Sequence, residues 1–383
     1  MIYLDYHATT PCDPSVVQAM LPFFSRKFAN PSSEIHSMGR EARRAVETAR
    51  GQIASFIGAE TDDIVLTSGA TESNNLAIMG LASRQDPARR TRIVTSAIEH
   101  KSVLAPLEVL SQQGFDVVVL PVDRLGRVSK DVAARETTDR TLLVSIQAAN
   151  NEIGTIQDIC AFSSLAHERG ALFHCDAAQA AGKLPIDIDA WGVDLLSMSA
   201  HKMCGPKGIA ALYVRGGVSR SVLRPLLYGG YQENGLRPGT LNVPLVVGFG
   251  EACRLAGEAM AEESIRLQQM RDSLEANLLQ RIHGLKRNGA LENRLPNNSS
   301  LTFPGIDAEA LILNVPELAL STGSACNSGA QEPSYVLGAI GLSYDEANGT
   351  VRVGIGRFTT PEEIDIATAE LITAFHRLGH QSG

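Results

Sequence analysis

The lysine at position 202 is the residue whose placement most clearly calls for a chemical explanation. Two apolar runs of strand length, residues 194–198 and 209–214, flank a tight segment that contains Lys202 and the turn at residues 205–208. This pattern brings an ammonium group to the edge of a buried sheet, although lysine is rarely buried. A partly desolvated lysine can form a Schiff base with an aldehyde. The alternative is a side chain whose stem packs on the sheet while its head reaches water.

Two polar residues follow another apolar run and could serve the same chemistry. Asp176 comes directly after residues 171–175, and Gln179 lies three positions further on. A carboxylate near a Schiff-base lysine suits the ring nitrogen of pyridoxal phosphate, and an amide could bind the ring's phenolic oxygen. By itself Asp176 could equally be the N-cap of a helix. Its combination with Lys202 favours the cofactor site.

Other residues could contact a phosphate, a flat ring or a carboxylate. Residues 68–72 place small side chains and hydroxyls where a helix begins, which suits a phosphate but also an ordinary N-cap. His100 follows the strand-like run 92–96 and could stack on a ring and move protons, or be a polar residue with ordinary partners. Arg352 could hold a carboxylate through two parallel hydrogen bonds, or lie on the surface of a strand.

The alternation of strand-like and helical segments predicts the fold class. Strands are expected at residues 2–4, 63–67, 92–96, 117–120, 142–146, 171–175, 299–303 and 350–355, besides the two runs that flank Lys202. Helices are expected over residues 14–24, around 46–56, over 72–81, over 253–282 and after the capping box at 360–363. This order is typical of an α/β protein with a mainly parallel sheet, which binds ligands at the carboxyl ends of its strands.

Composition limits the classes of function. The 383 residues are 44% hydrophobic and 20% charged, as in globular enzymes, and the length favours two domains. A net charge of −8 argues against a dedicated nucleic-acid binder. No apolar stretch reaches membrane-spanning length and the first residues do not resemble a secretory signal, so a cytoplasmic location is expected. The six cysteines show no Cys-x-x-Cys spacing that would indicate a disulfide framework or a zinc site.

Taken together, these motifs resemble the cysteine desulfurases of the NifS/IscS type. The resemblance extends from about residue 2 to residue 375 and rests on six segments, at residues 3–11, 68–75, 150–154, 174–179, 199–208 and 323–326. It implies a pyridoxal-phosphate-dependent transferase of fold type I with a seven-stranded, mainly parallel sheet. It also implies a homodimer, a large domain at 14–253, and a smaller α+β domain formed by 1–13 and 254–383.

The resemblance also implies a role for each matching residue. Lys202 corresponds to the Schiff-base lysine, Asp176 and Gln179 to the partners of the ring nitrogen and phenolic oxygen, and His100 to the stacking residue and a candidate proton donor. Asn151 corresponds to a residue beside the ring and the substrate carboxylate, and Arg352 to the carboxylate clamp. The phosphate site would comprise Ala70, Thr71, Ser199, His201 and, from the other subunit, Thr240.

Cys326 would complete the reaction implied by the resemblance. Its thiolate would take the sulfur of L-cysteine, giving L-alanine and a persulfide that passes to an acceptor protein. The small polar residues of the segment 321–330 predict a mobile loop, whereas a structural cysteine would prefer apolar surroundings. No resident metal site is expected, although Cys326 is a candidate for a transient iron–sulfur ligand.

Three positions depart from the pattern of the family, and several alternatives stay open. Ala200 stands where glycine is common, Pro238 where a small residue is usual, and Gly354 in a segment that usually contains serine. The sulfur acceptor could belong to iron–sulfur assembly, tRNA thiolation or sulfur insertion into the DNA backbone. The rival functions are a selenocysteine lyase, an aminotransferase, and a sulfur-carrier scaffold without catalysis.

Overall fold

A computed structural model describes residues 1–83, 90–323 and 333–379. Its strands are β1 (Ile2–Tyr3), β2 (Ile64–Thr67), β3 (Arg92–Ser96), β4 (Asp116–Leu120), β5 (Thr141–Ser145), β6 (Leu172–Asp176), β7 (Leu195–Ser199), β8 (Ala210–Val214), β9 (Lys286–Arg287), β10 (Asn298–Thr302), β11 (Leu318–Ala319), β12 (Ser321–Thr322) and β13 (Thr350–Gly354). Its helices are α1 (Pro14–Met20), α2 (Pro22–Ser25), α3 (Ser37–Ile57), α4 (Ala70–Ala82), α5 (Lys101–Gln112), α6 (Lys130–Glu136), α7 (Ile159–Glu168), α8 (Ile188–Trp191), α9 (Val243–Arg281), α10 (Ala308–Leu313), α11 (Tyr335–Ala339), α12 (Tyr344–Asn348) and α13 (Pro361–Gly379).

A seven-stranded sheet forms the centre of the fold, in the order β2-β8-β7-β6-β5-β3-β4. All neighbouring strands are parallel except β8, which runs antiparallel to both β2 and β7. Every residue of β5, β7 and β8 is buried, as expected for a sheet covered by helices on both faces. The predicted α/β class and mainly parallel sheet are therefore confirmed.

Along strands such as β7, successive residues contribute to different hydrophobic cores on the two faces of the sheet. On β7, Leu196 packs in the core that includes residues of α3, α7 and the first half of α9, whereas Leu195 packs in the core that includes residues of α4 and α5. This alternation follows from the two-residue period of a strand. The strand ends are thereby held in place, and their carboxyl edge carries the polar residues of the site.

A second group of elements surrounds an antiparallel sheet in the order β12-β13-β10-β9 and a separate parallel pair, β1-β11. Its core joins Leu301 of β10 and Val351 of β13 to residues of α10, α13 and the second half of α9. On α9, residues up to Ala256 pack against the large sheet, and residues from Leu267 onward pack in this second core. The 39-residue helix therefore connects the two groups.

Most predicted elements are confirmed to within a residue or two, and three helices differ more. The helix expected around 46–56 begins earlier, at Ser37. The helix expected over 14–24 is divided into α1 and α2, because Pro22 has no backbone N–H to continue the first helix. The helix expected from 253 begins at Val243, where the Asn242 side chain accepts a hydrogen bond from Leu245 N. The capping box before α13 is confirmed by reciprocal bonds between Thr360 and Glu363. None of the described helices is long and apolar enough to cross a membrane.

Candidate active site

A cavity of about 530 Å³ lies at the carboxyl edge of the large sheet. Strands β3, β5, β6 and β7 are parallel, so the segments that follow them meet at this edge. Most of the predicted site residues line the cavity, namely Ala70, Thr71, His100, Asn151, Asp176, Gln179, Ser199, His201, Lys202 and Arg352. Thr240, predicted to act from another subunit, is exposed and does not line it. Cys326 lies outside the described residues.

Lys202 reaches the cavity from a short 3-10 turn, Ala200–Lys202, directly after β7. Its Nζ donates hydrogen bonds to the main-chain oxygens of His7, at 2.5 Å, and Ala8, at 2.8 Å. The amine is therefore held against the N-terminal segment at the cavity wall. Behind it, Nζ of the buried Lys183 donates to the carbonyls of Gln179 and Lys202. Burial, followed by the charge of Lys202, lowers the pKa of Lys183 to about 7.

Asp176, at the end of β6, is fixed by two donors. Its Oδ1 accepts from Ala178 N at 2.9 Å, and its Oδ2 accepts from Asn74 Nδ2 at 2.7 Å. The same Asn74 nitrogen donates to Ser102 Oγ at 2.8 Å. That hydroxyl lies 2.7 Å from Nδ1 of His100, which also accepts from Ser102 N as the N-cap of α5. A hydrogen-bonded chain therefore connects Asp176 to His100 along the cavity wall.

An anion-binding arrangement lies at one end of the cavity. Helix α4 begins after Gly69, which provides no side-chain cap, so the first N–H groups of the helix remain available. Ser199 Oγ is buried and has no hydrogen-bond partner among the described residues. His201 Nδ1 lies 3.1 Å from Thr9 Oγ1, and burial, with the nearby lysines, lowers the pKa of His201 to about 4. These groups offer uncharged donors and a helix terminus to an anion.

Arg352 is buried inside the second group of elements, so it is not the surface arginine considered as an alternative. Its Nη2 lies 3.0 Å from Asp5 Oδ1, and its Nη1 donates to Asn151 O at 3.3 Å. Its Nε is buried and has no partner within residues 1–83, 90–323 and 333–379. Since Arg352 lines the cavity, an anionic group there could satisfy the remaining donor.

Two buried carboxyl groups lie beside these residues. Glu99 precedes His100, and burial raises its pKa to about 8 despite hydrogen bonds from Ser96 and Gln147. Glu152 follows Asn151, and burial likewise raises its pKa to about 7, opposed by its hydrogen bond from Ser334. In both groups burial shifts the equilibrium toward the neutral acid, because an ion would lose its hydration.

The sequence reasoning missed several residues that support the site. His7, Asn74, Ser102 and Lys183 all contact predicted site residues. His7 and Asn74 stand inside the segments that carry the resemblance, which was the available signal. Ser102 and Lys183 gave no such signal in the sequence, because a serine in a helix and a lysine after a glycine are both common on protein surfaces. Across the described ranges, no cluster of three or more His, Cys, Asp or Glu side chains could hold a metal ion.

Comparisons with known proteins show the family to which this chain is similar. The family model Aminotransferase class-V matches residues 2–366. The chain is 45% identical over 377 residues to Cysteine desulfurase IscS of Rickettsia akari (strain Hartford), covering 98% of this chain and 92% of that protein.

Solved structures show the same similarity. A structure described as a NifS-like protein superposes with a TM-score of 0.90 and 35% identity, covering 99% of both chains. A structure of SspA in complex with cysteine gives a TM-score of 0.82 and 38% identity, covering 94% of this chain and all of the other. With the sheet, the cavity and its lysine in place, the chain belongs to the class-V aminotransferase family and, within it, to the cysteine desulfurases of the NifS/IscS type.

Proposed function

We propose that this chain uses pyridoxal phosphate to take sulfur from L-cysteine, releases L-alanine and retains the sulfur as a persulfide on Cys326. The observation that carries the proposal is the convergence of Lys202, Asp176, Gln179 and His100 on one cavity. A lysine amine for the aldehyde and a carboxylate for the ring nitrogen are the groups that such a cofactor uses, and an amide and an imidazole suit its phenolic oxygen and its ring face. The similarity to a structure of SspA in complex with cysteine supports the choice of substrate.

The cavity residues fit the proposed cofactor. The unpartnered hydroxyl of Ser199, the open N-terminus of α4 and neutral His201 suit a phosphate, together with Ala70 and Thr71. Lys202 would anchor the aldehyde, Asp176 would face the ring nitrogen, Gln179 the phenolic oxygen, and His100 would stack on the ring. When bound, pyridoxal phosphate supplies an electron sink for the carbon atoms of the substrate.

Substrate binding would depend on the second group of elements. Arg352 and Asn151 would hold the carboxylate of cysteine, since the guanidinium keeps one buried donor without a protein partner in the described part of the chain. Asp5 fixes the other side of the guanidinium through its Nη2 atom. The orientation of the substrate would therefore be set before any bond breaks.

The remaining steps move protons and one sulfur atom. Lys202 Nζ would take the proton from the α-carbon, and His100 is the candidate donor of a proton to the substrate. The Cys326 thiolate would attack the substrate sulfur, so that an S–S bond forms, the C–S bond breaks, and its electron pair stays on the β-carbon, which is then protonated. Cysteine and the Cys326 thiol thereby become alanine and a persulfide without any external oxidant.

The assembly is also part of the proposal. Thr240 would complete the phosphate site of a second copy, and the same region exposes large apolar side chains that a partner could cover, at Leu227, Tyr228 and Tyr231. We further propose a large domain at 14–253 and a small domain at 1–13 and 254–383, supported by the separate cores that meet on α9. The persulfide would pass to a cytoplasmic acceptor for iron–sulfur assembly or for thiolation of tRNA or DNA.

Replacing Cys326 by serine tests the sulfur-transfer step. The variant should bind pyridoxal phosphate and keep its yellow colour but form no alanine from cysteine. Cys160→Ser is the matched control, because Cys160 is exposed and lies outside the cavity. Normal turnover by Cys326→Ser would refute the assignment, and a colourless wild-type protein would favour a scaffold without catalysis. Alanine yields from cysteine and selenocysteine separate a desulfurase from a lyase, and labelled sulfur followed into candidate acceptors identifies the pathway.

A further inference from the structure

The imidazole of His7 lies between the small antiparallel sheet and Gln179. It is 1% exposed, and His7 lines the cavity. Its main-chain oxygen accepts hydrogen bonds from both Lys202 Nζ and Gln179 Nε2, which uses both lone pairs of that carbonyl. The ring nitrogens face Gln179 on one side and β10 on the other. The residue therefore contacts two predicted cofactor ligands at once.

The contact with β10 indicates which ring nitrogen accepts a hydrogen bond. Asn298 Nδ2 lies 3.1 Å from Glu152 O and 3.2 Å from His7 Nε2. A main-chain oxygen can only accept, so the Asn298 atom facing Glu152 must be the nitrogen, and its second hydrogen points at the imidazole. His7 Nε2 is then an acceptor without a proton.

The contact with Gln179 requires the same form of the ring. Gln179 Nε2 donates to His7 O at 3.0 Å, which fixes the orientation of the amide and leaves Oε1 at 3.3 Å from His7 Nδ1. Because Oε1 only accepts, Nδ1 must carry the hydrogen. The opposite tautomer would gain one bond, from Nε2 to Asn297 O at 3.3 Å, but would lose the bonds to Asn298 and Gln179. The tautomer with the proton on Nδ1 makes two of these hydrogen bonds and the opposite tautomer makes one, so the proton is expected on Nδ1.

The surroundings keep the ring neutral and make room for it. Burial and the charges of Arg352, Lys183 and Lys202 lower the pKa of His7 well below its usual range. A Cβ atom on residue 354 would lie 2.8 Å from Cδ2 of the ring, 2.9 Å from Tyr6 N and 3.0 Å from His7 N, so glycine at this position allows both the imidazole and the backbone before it to approach. The absence of serine at position 354, noted as a departure from the family pattern, therefore has a physical reason.

We propose that His7 is a positioning residue that fixes the amide of Gln179, so that the second N–H of this amide faces the cavity. Asn298 sets the tautomer of His7, and His7 Nδ1 then holds Gln179 Oε1. Gln179 cannot turn its oxygen toward the ligand without losing both contacts with His7. The benefit of this orientation rests on the proposed function, because the recipient of the N–H would be the phenolic oxygen of pyridoxal phosphate.

Nitrogen NMR of the full chain tests the tautomer independently of catalysis. In protein labelled with ¹⁵N-histidine, the His7 signals, assigned by their loss in His7→Asn, should show a protonated Nδ1 and an unprotonated Nε2. The pattern should be the same with and without added pyridoxal phosphate. A proton on Nε2, or a doubly protonated ring at neutral pH, would overturn the inference even if the enzyme is active.

Absorbance of the protein mixed with pyridoxal phosphate tests the consequence. His7→Leu removes the donor to Gln179, whereas His7→Asn places an amide nitrogen near the position of Nδ1 and should restore it. We expect His7→Leu to shift the pH at which the cofactor absorbance changes by about one unit, the size of one lost hydrogen bond to a charged atom. His7→Asn should stay within a few tenths of a unit of the wild type.

A matched histidine separates this effect from a general loss of imidazole. His167 lies on α7 outside the cavity and pairs with Asp194, so His167→Leu should leave the absorbance titration unchanged. Equal shifts in His7→Leu and His7→Asn, or no shift in either, would contradict the positioning role. If wild-type protein binds no pyridoxal phosphate, the proposed function fails while the NMR result still decides the inference. If His7→Leu does not fold, the NMR result and His7→Asn still decide it.

Discussion

Replacing Glu99 by glutamine should remove a pH dependence from the free energy of unfolding. The side chain is fully buried, and its Oε1 accepts from Ser96 Oγ at 2.5 Å and from Gln147 N at 3.0 Å. Its Oε2 has no partner among the described residues. Burial is the main cause that raises the pKa of this carboxyl to about 8, and the charge of Asp176 adds to it. Glu99 is therefore a neutral acid at pH 7.

The size and the sign of the effect follow from proton linkage. The native state holds the Glu99 proton more tightly than the unfolded chain, whose carboxyl has the ordinary pKa of 4.5. The contribution of Glu99 to stability is therefore complete below pH 4.5 and is lost as the pH rises through 8. One proton corresponds to about 1.4 kcal/mol per pH unit, so raising the pH from 6 to 9 should remove about 3 kcal/mol.

Glutamine has nearly the same shape as the neutral acid and is also uncharged, but it has no proton that can be lost as the pH rises. Its oxygen can accept the same bonds from Ser96 and Gln147, and its amide nitrogen replaces the unpartnered Oε2. In urea unfolding of the two proteins, the stability of Glu99→Gln relative to the wild type should therefore rise by about 3 kcal/mol between pH 6 and pH 9. Titration of Glu152 and Lys183 occurs in both proteins and cancels in this difference.

A partly exposed carboxyl provides the control for this measurement. Glu251 forms an ion pair with Arg254 on α9, and Glu251→Gln should change stability by less than about 1 kcal/mol at both pH values. If Glu99→Gln and the wild type lose the same stability between pH 6 and pH 9, the buried neutral acid is refuted.

Two further substitutions test other parts of the structure. Glu275→Gln should lower the free energy of unfolding by about 3 to 5 kcal/mol, because its 1% exposed carboxylate binds both Nη atoms of Arg294 as well as Ser299 Oγ. A loss below about 1 kcal/mol in urea unfolding would mean that this pair contributes no more than a surface pair. Arg352→Lys should raise KM for cysteine about 10- to 100-fold, because an ammonium cannot replace the planar fork between Asp5 and the substrate. Arg357→Lys, outside the cavity, should change KM little, and equal effects in the two variants would contradict the clamp.

The sequence alone was sufficient to predict the architecture, and most of the site residues that it predicted line the cavity. Alternating apolar runs and helical segments determine a mainly parallel sheet, and in such a sheet the residues after the strands meet at one edge. For that reason Lys202, Asp176, Gln179 and His100 could be placed together before any coordinates. The boundaries that were missed, at Pro22 and at the starts of α3 and α9, depend on caps and turns of a few residues.

Only the tertiary structure decided the state of the groups around these residues. The buried Arg352 pairs with Asp5, which lies at the other end of the chain. His7 and Asn298 are in contact although they are separated by almost as many residues. The neutral form of Glu99 likewise depends on which segments exclude water from it. Desolvation and hydrogen-bond partners arise from residues that are distant in sequence, and local spacing carries no information about them. The sequence therefore determined which chemical groups meet at the sheet edge, and the packing determined their protonation and orientation.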